Sequence, residues 1–179
     1  MVHKFEKPER LAELTTKTTL RRFGLSSDSI FCDVGAGTGI FSFAAAGITS
    51  NTIYSVEISS EMLEILQSKK KEGDFRNIVI EGGIERIPPH SCDLVLLSTV
   101  LHEVEDPISM ISEIERIMKP DGALGIIEFH KRVTSMGPPV EERLSKEDII
   151  TMMAGSSLLL NDEFILGENY YCLRFEKMT

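Results

Sequence analysis

The chain has 179 residues, 42% of them hydrophobic and 26% charged, the balance of one globular domain with enough apolar mass for its own core. Nineteen basic against 28 acidic side chains leave a net charge of −9, which argues against a protein that coats nucleic acid, since that needs an excess of positive charge. No apolar run approaches the ~20 residues that span a bilayer, the polar start Met1-Val2-His3-Lys4-Phe5 does not read as a signal peptide, and three scattered cysteines lack metal-ligand spacing, so a cytoplasmic protein with reduced thiols is expected.

In chain order, residues 9–23 interleave Leu11 and Leu14 with charge and predict one helix, with Gly24 suited to its C-terminal end. Ile30–Val34 is a buried strand that runs straight into Gly35-Ala36-Gly37-Thr38-Gly39. Ile40–Gly47 is an Ala-rich helix, and Thr52–Glu57 a second strand. Ser59 is set to cap a helix through Met62 and Leu66 that ends in Lys69-Lys70-Lys71, where cations offset the helix dipole. Asn77–Glu81 and Asp93–Leu97 are the third and fourth strands. Asp106 caps a helix with Pro107 in its first turn, and 3–4 spacing predicts burial of Ile108, Ile111, Ile114 and Ile117 or Met118. Lys119-Pro120-Asp121-Gly122 stops that helix, and Ala123–Phe129 is the fifth strand. Residues 131–144 form a long connection. Ser145 with Asp148 resembles a capping box for a helix through Met153. Two strands around 163–166 and 170–175, joined by Gly167-Glu168-Asn169, close the chain. Strand–helix alternation predicts an α/β, Rossmann-like doubly wound sheet, mostly parallel with helices on both faces, and the closing pair adds an antiparallel strand.

In such a sheet the first strand–helix turn is where a nucleotide-like ligand sits. Glycines there let backbone approach the ligand, and the next helix offers free N–H groups to its charged part. Glu57, twenty residues after Gly37, is placed to accept hydrogen bonds from both hydroxyls of a ribose. A dinucleotide fingerprint, GxGxxG, would need glycine at position 40, where Ile40 stands. The loop is GxGxG preceded by Asp33, and a buried acid beside it suits an ammonium group better than a pyrophosphate.

Phe31-Cys32-Asp33-Val34-Gly35-Ala36-Gly37-Thr38-Gly39 resembles motif I of the class I S-adenosylmethionine-dependent methyltransferases. Glu57 matches the acid that ends that family's second strand. Cys92–Val104 resembles its fourth-strand segment, and Ile117–Leu124 the fifth-strand lead-in of the small-molecule branch that includes ubiquinone/menaquinone C-methyltransferases. The likeness covers roughly residues 9–175. It implies a single domain over 1–179, with seven strands and the seventh inserted antiparallel between the fifth and sixth. It implies S-adenosylmethionine as methyl donor, S-adenosylhomocysteine as product, and donor contacts from Asp33, Gly35, Ala36, Gly37, Gly39, Glu57, Ile58, Gly83, Ile84 and Ser98. Where the family often carries an acid for the adenine amino group this chain has Gly83, so that contact is expected from backbone near Gly83 and Ile84, or from Glu85.

The implied reaction is an in-line methyl displacement whose acceptor, a small molecule, sits over the ends of the fourth and fifth strands. His102 is the candidate base or substrate orienter. Glu103, Glu128 and Arg143 are candidate acceptor contacts, Arg143 through a substrate carboxylate or phosphate. The N-terminal helix within residues 1–23 is expected to act as a lid, through Leu11, Leu14, Thr15 and Thr16, together with Met136 of loop 131–144. Membrane insertion, a metal site and nucleic-acid binding are not expected. The competing readings are a methyltransferase of RNA or protein, a NAD(P)-binding oxidoreductase and a non-catalytic S-adenosylmethionine-binding module.

Overall fold

A computed structural model describes residues 6–178; His3 lies outside them. The first secondary structure is a broken helix. Helix α1 (Pro8–Leu14) and helix α2 (Thr16–Arg22) meet at Thr15, whose φ of +36° is left-handed, so the single helix expected over 9–23 is two. The chain then alternates: β1 (Phe31–Val34), α3 (Ile40–Ala45), β2 (Ile53–Val56), α4 (Ser60–Glu72), β3 (Ile78–Glu81), β4 (Cys92–Ser98), α5 (Pro107–Ile117), β5 (Met118–Phe129), α6 (Lys146–Met153), β6 (Leu158–Leu166) and β7 (Tyr170–Lys177).

One seven-stranded sheet runs β3-β2-β1-β4-β5-β7-β6. All pairings from β3 to β5 are parallel, and β7 lies antiparallel between β5 and β6, as the family resemblance implies. The order reverses between β1 and β4, so their C-terminal ends part and open a crevice there. Central β1 is buried at all four residues, which is why it reads as a continuous apolar run and not an alternation. One core cluster holds Val95, Leu97, Ile114 and Ile126 on one side of the sheet, and the other holds Leu14, Phe23, Phe31 and Phe41.

The helix starts follow their sequence signals. Ser59 accepts the Met62 N–H, Asp106 Oδ1 accepts the Ser109 N–H at 3.0 Å, and Ser145 and Asp148 form the reciprocal capping box. Three details differ. Ile108 is 61% exposed, so only Ile111, Ile114 and Ile117 of α5 are buried. β5 begins at Met118, because that buried residue pairs with Cys92 before the register shifts past Pro120. β6 begins at Leu158, five residues before its expected start. It is the edge strand, its Leu159 and Leu160 face solvent, and the irregularity between Leu160 and Asp162 breaks the alternation that would have marked it.

Candidate functional site

At the parting of β1 and β4 lies a cleft of about 710 Å³. It gathers Asp33 from β1, Gly35, Ala36 and Gly37 from the β1–α3 turn, Glu57 and Ile58 just past β2, Gly83 and Ile84 after β3, Ser98 at the end of β4 and Glu103 after it. These ten positions, dispersed over 71 residues, line one cleft. Gly39 is not on the wall. A side chain there would meet Phe43 at 2.5 Å and Leu66 at 2.7 Å, so this glycine serves the packing of the turn against α3 and α4.

The turn is held open from below. Glu57 Oε2 accepts the Gly37 N–H at 2.8 Å, and Oε1 accepts the N–H groups of Ile58 and Ser59, each at 2.8 Å. One carboxylate thus fixes both the glycine loop and the start of the β2–α4 connection. Beneath it Ser55 donates to Ser42 at 2.6 Å and Ser42 to Asp33 Oδ2 at 2.7 Å. Burial lifts the Asp33 carboxyl to about 6, against the pull of the Ser42 hydroxyl. Lys69 donates to the Thr38 carbonyl at 3.0 Å and pairs with Glu6, so the first lysine of the basic run braces the loop besides ending its helix.

The wall is built to receive a polar ligand. At Gly37, with φ +55°, an added Cβ would meet nothing within 4 Å, so the empty volume beside it belongs to the cleft. The hydroxyl of Thr38, 2% exposed, and that of Ser98 are buried and have no hydrogen-bond partner among the described residues. Unpaired buried hydroxyls are costly unless something completes them. Ile58, 86% exposed, offers an apolar surface at the mouth. These features fit an adenosyl amino acid: a carboxylate for a ribose, a bare loop for close approach, and an acid and spare hydroxyls for a charged tail.

Past the ends of β4 and β5 the cleft continues along Thr99, Val100, Val104 and Met110. Thr99 has φ +56°, a left-handed conformation strained for a β-branched residue and typical of binding sites. Arg10 of α1 lines this part and donates to Thr99 Oγ1 at 3.0 Å. Behind the wall, His102 Nδ1 sits 2.8 Å and 3.0 Å from the two oxygens of Glu128, which is 1% exposed and also accepts the His102 N–H at 3.3 Å. The other ring nitrogen, Nε2, lies 3.7 Å from Glu103 Oε1. Burial pulls the imidazole down, but the bond to Glu128 and the charges of Glu128, Glu103 and Glu142 outweigh it and leave His102 above its ordinary value.

Besides Gly39, three sequence-derived candidates lie off the cleft wall. His102 and Glu128 form the dyad just described. Arg143 is turned away, 5% exposed. Its guanidinium donates to the carbonyls of Pro138, His130, Arg132 and Met136 and to Thr134 Oγ1, at 2.8 to 3.1 Å. That guanidinium ties loop 131–144 into one shape and has no face left for a substrate anion. Leu14 is in the core, and Leu11, Thr15, Thr16 and Met136 do not reach the cleft. Arg10, Thr38 and Thr99 were not singled out. Thr38 stood inside the glycine loop as a visible signal, whereas nothing in the local pattern marks Arg10, which arrives through the Thr15 break.

A parallel sheet with this switch point, this loop and an antiparallel seventh strand defines the Rossmann-like methyltransferase class. Residues 32–126, just over half the chain, match the methyltransferase domain family, and the chain belongs to it. A methyltransferase-like protein of Schizosaccharomyces pombe is 34% identical over 107 residues, 59% of this chain and 40% of that protein. A demethylmenaquinone methyltransferase of Anoxybacillus flavithermus is 26% identical over 117 residues, 63% of this chain and 49% of that one. The chain spans about half the length of the curated relatives it matches or less. An S-adenosylmethionine-dependent methyltransferase of Aquifex aeolicus has the same fold, with a TM-score of 0.92 at 21% identity over 99% of this chain and 97% of that one. No helix among the described residues is long and apolar enough to cross a membrane.

Proposed function

We propose that the chain is an S-adenosylmethionine-dependent methyltransferase of a small-molecule acceptor. The observation that carries this reading is the Asp33–Glu57 cleft: a glycine loop pinned by Glu57, with Gly37 open to the cavity and Thr38 and Ser98 unpartnered. When bound, the donor supplies an electrophilic methyl on a sulfonium, and its own leaving group. Glu57 accepts from the ribose hydroxyls. Asp33, ionised, faces the ammonium end, and Ile58, Gly83 and Ile84 flank the adenine. Ser98 and Thr38 complete polar contacts to the amino-acid tail. With a good leaving group built in, alignment is the chain's main contribution, worth up to ~7–11 kcal/mol.

His102 acts at the acceptor. Glu128 holds Nδ1 as the protonated nitrogen and leaves Nε2 on the side of Glu103, the next residue on the cleft wall, where neutral imidazole takes the proton released by the acceptor. Because Glu128, Glu103 and Glu142 favour the charged ring, this role switches on as pH rises through a value above the usual 6.5. The N-terminal helix covers the acceptor end through Arg10, strapped at one side by Glu6 to Lys69 and at the other by Glu13, which accepts from Asn169 at 2.8 and 2.9 Å. The acceptor face carries Glu103 and Glu105 beside Arg10, and the chain is acidic throughout its middle, which favours a small acceptor over RNA. The demethylmenaquinone methyltransferases among its relatives act on a small molecule by name, in keeping with this reading.

Calorimetry tests the donor assignment. S-adenosylhomocysteine should bind one per chain, and NADH should not bind. Saturable NADH binding with no response to S-adenosylhomocysteine would return the site to the oxidoreductase reading.

A further inference from the structure

A second cavity, of about 580 Å³, opens where the chain leaves β5 and meets the first turn of α6 and the paired strands β6 and β7. It shares no lining residue with the donor cleft. Among its lining residues bases outnumber acids, Arg22, Lys131, Arg132 and Lys146 against Glu147 and Glu163, in a protein of net charge −9.

Most of those cations are already matched. Lys131 pairs with Asp148 at 2.9 Å, Lys146 with Glu163 at 2.8 Å and Arg22 with Asp162 at 3.6 Å. Arg132 is different: its guanidinium makes one long hydrogen bond, 3.5 Å to the Glu168 carbonyl, and forms no ion pair among the described residues. His130 carries the second unmet polar atom. Its Nε2 is buried without a hydrogen-bond partner, and its ring leans on Tyr171 at 5.7 Å. Burial and the charge of Arg132 push that imidazole below its ordinary value. The start of α6 is the third. The capping box uses the Ser145 and Asp148 N–H groups, leaving those of Lys146 and Glu147, both on the cavity wall, without an intrahelical acceptor. The rest of the lining is apolar, from Phe164, Ile165 and Tyr171.

We propose that this cavity binds a small organic oxyanion: an apolar or aromatic body against Ile165 and Tyr171, with its anionic head between Arg132, His130 Nε2 and the first turn of α6. The site is separate from the donor cleft and does not depend on the methyltransferase reading. An oxyanion there completes an imidazole, a guanidinium and a helix N-terminus at once, which is how such groups are bound elsewhere. A phosphate monoester and a carboxylate share this chemistry.

The test is calorimetric titration of the full chain with 1-naphthyl phosphate, 1-naphthoate, 1-naphthol and inorganic phosphate at fixed ionic strength, repeated with saturating S-adenosylhomocysteine. At least one aryl anion should bind saturably, more tightly than naphthol or inorganic phosphate. The better of the two aryl anions identifies the head group. Exposed Arg132→Ala should weaken that binding by roughly tenfold or more, and His130→Gln should weaken it too, with S-adenosylhomocysteine affinity unchanged in both. The proposal is overturned if neither aryl anion saturates, if naphthol binds as well, if the two variants bind like wild type, or if S-adenosylhomocysteine competes.

Discussion

Glu57→Ala removes the one side chain that serves both the loop and the ligand. In the free protein it accepts three backbone N–H groups at 2.8 Å, from Gly37, Ile58 and Ser59. The Ile58 and Ser59 amides are exposed, so water replaces the carboxylate there at small cost; the Gly37 amide lines the cleft and is rehydrated as well. The fold should therefore lose on the order of 1 kcal/mol or less. Binding should lose more, because the carboxylate's bonds to the ribose diol have no substitute in the variant. At about 1.5–3 kcal/mol for hydrogen bonds to a charged group, the dissociation constant of S-adenosylhomocysteine should rise about 10- to 150-fold. Glu57→Gln keeps one acceptor oxygen but presents an NH₂ to the second partner, so it should fall between the two. Calorimetry gives the affinity, and urea unfolding of the same samples shows that the sheet is intact. A folded Glu57→Ala protein that binds S-adenosylhomocysteine as wild type does would refute the ribose assignment.

Gly37→Val should abolish S-adenosylhomocysteine binding with the sheet retained, because its Cβ meets no protein atom and would stand in ligand space; circular dichroism with calorimetry separates the two effects. Asp33 is held near 6 in the fold against an ordinary 3.8, so the folded state binds its proton more tightly. Its contribution to stability should therefore fall between about pH 4 and pH 6, by on the order of 3 kcal/mol, and urea titrations of Asp33→Asn should lose that slope. S-adenosylhomocysteine affinity should drop as pH falls through 6, since the ammonium needs the ionised acid. Arg143→Ala should cost stability, about 2–4 kcal/mol from five lost donor contacts to loop 131–144, while S-adenosylhomocysteine affinity stays close to wild type. Glu128→Gln should lower turnover and shift the rising limb of the pH–rate profile downward, because the charge that lifts His102 is gone; an unmoved limb would separate His102 from the rate.

The donor half of the site was legible because its chemistry is local. Asp33 through Gly39 is a contiguous loop, and Glu57 closes the next strand, so strand ends and turn residues alone place them together. The acceptor half was less so. Arg143 looked like an anion contact beside Glu141 and Glu142, yet its partners are the Thr134 hydroxyl and four carbonyls, and backbone carbonyls carry no sequence signal at all. Arg10 reaches the cleft only because Thr15 breaks the helix in a left-handed conformation that a β-branched residue rarely adopts, and a helical period cannot announce that. The His102–Glu128 pair joins residues 26 apart through the β4–β5 parallel register, where Ser98 faces Ile127. Sequence marked both ends as candidates but not their contact. The edge strand β6 shows the same limit in the fold: an exposed, irregular strand has no buried face to impose alternation.

Methyl transfer itself tests the central claim most directly. The purified chain is incubated with S-adenosylmethionine carrying a tritiated methyl group and, in parallel, with a protein-free metabolite extract, total RNA and total protein. The account predicts label in the small-molecule fraction, lost with Glu57→Ala and reduced with His102→Gln. Label confined to RNA or protein, or transfer by Glu57→Ala equal to wild type, would contradict it.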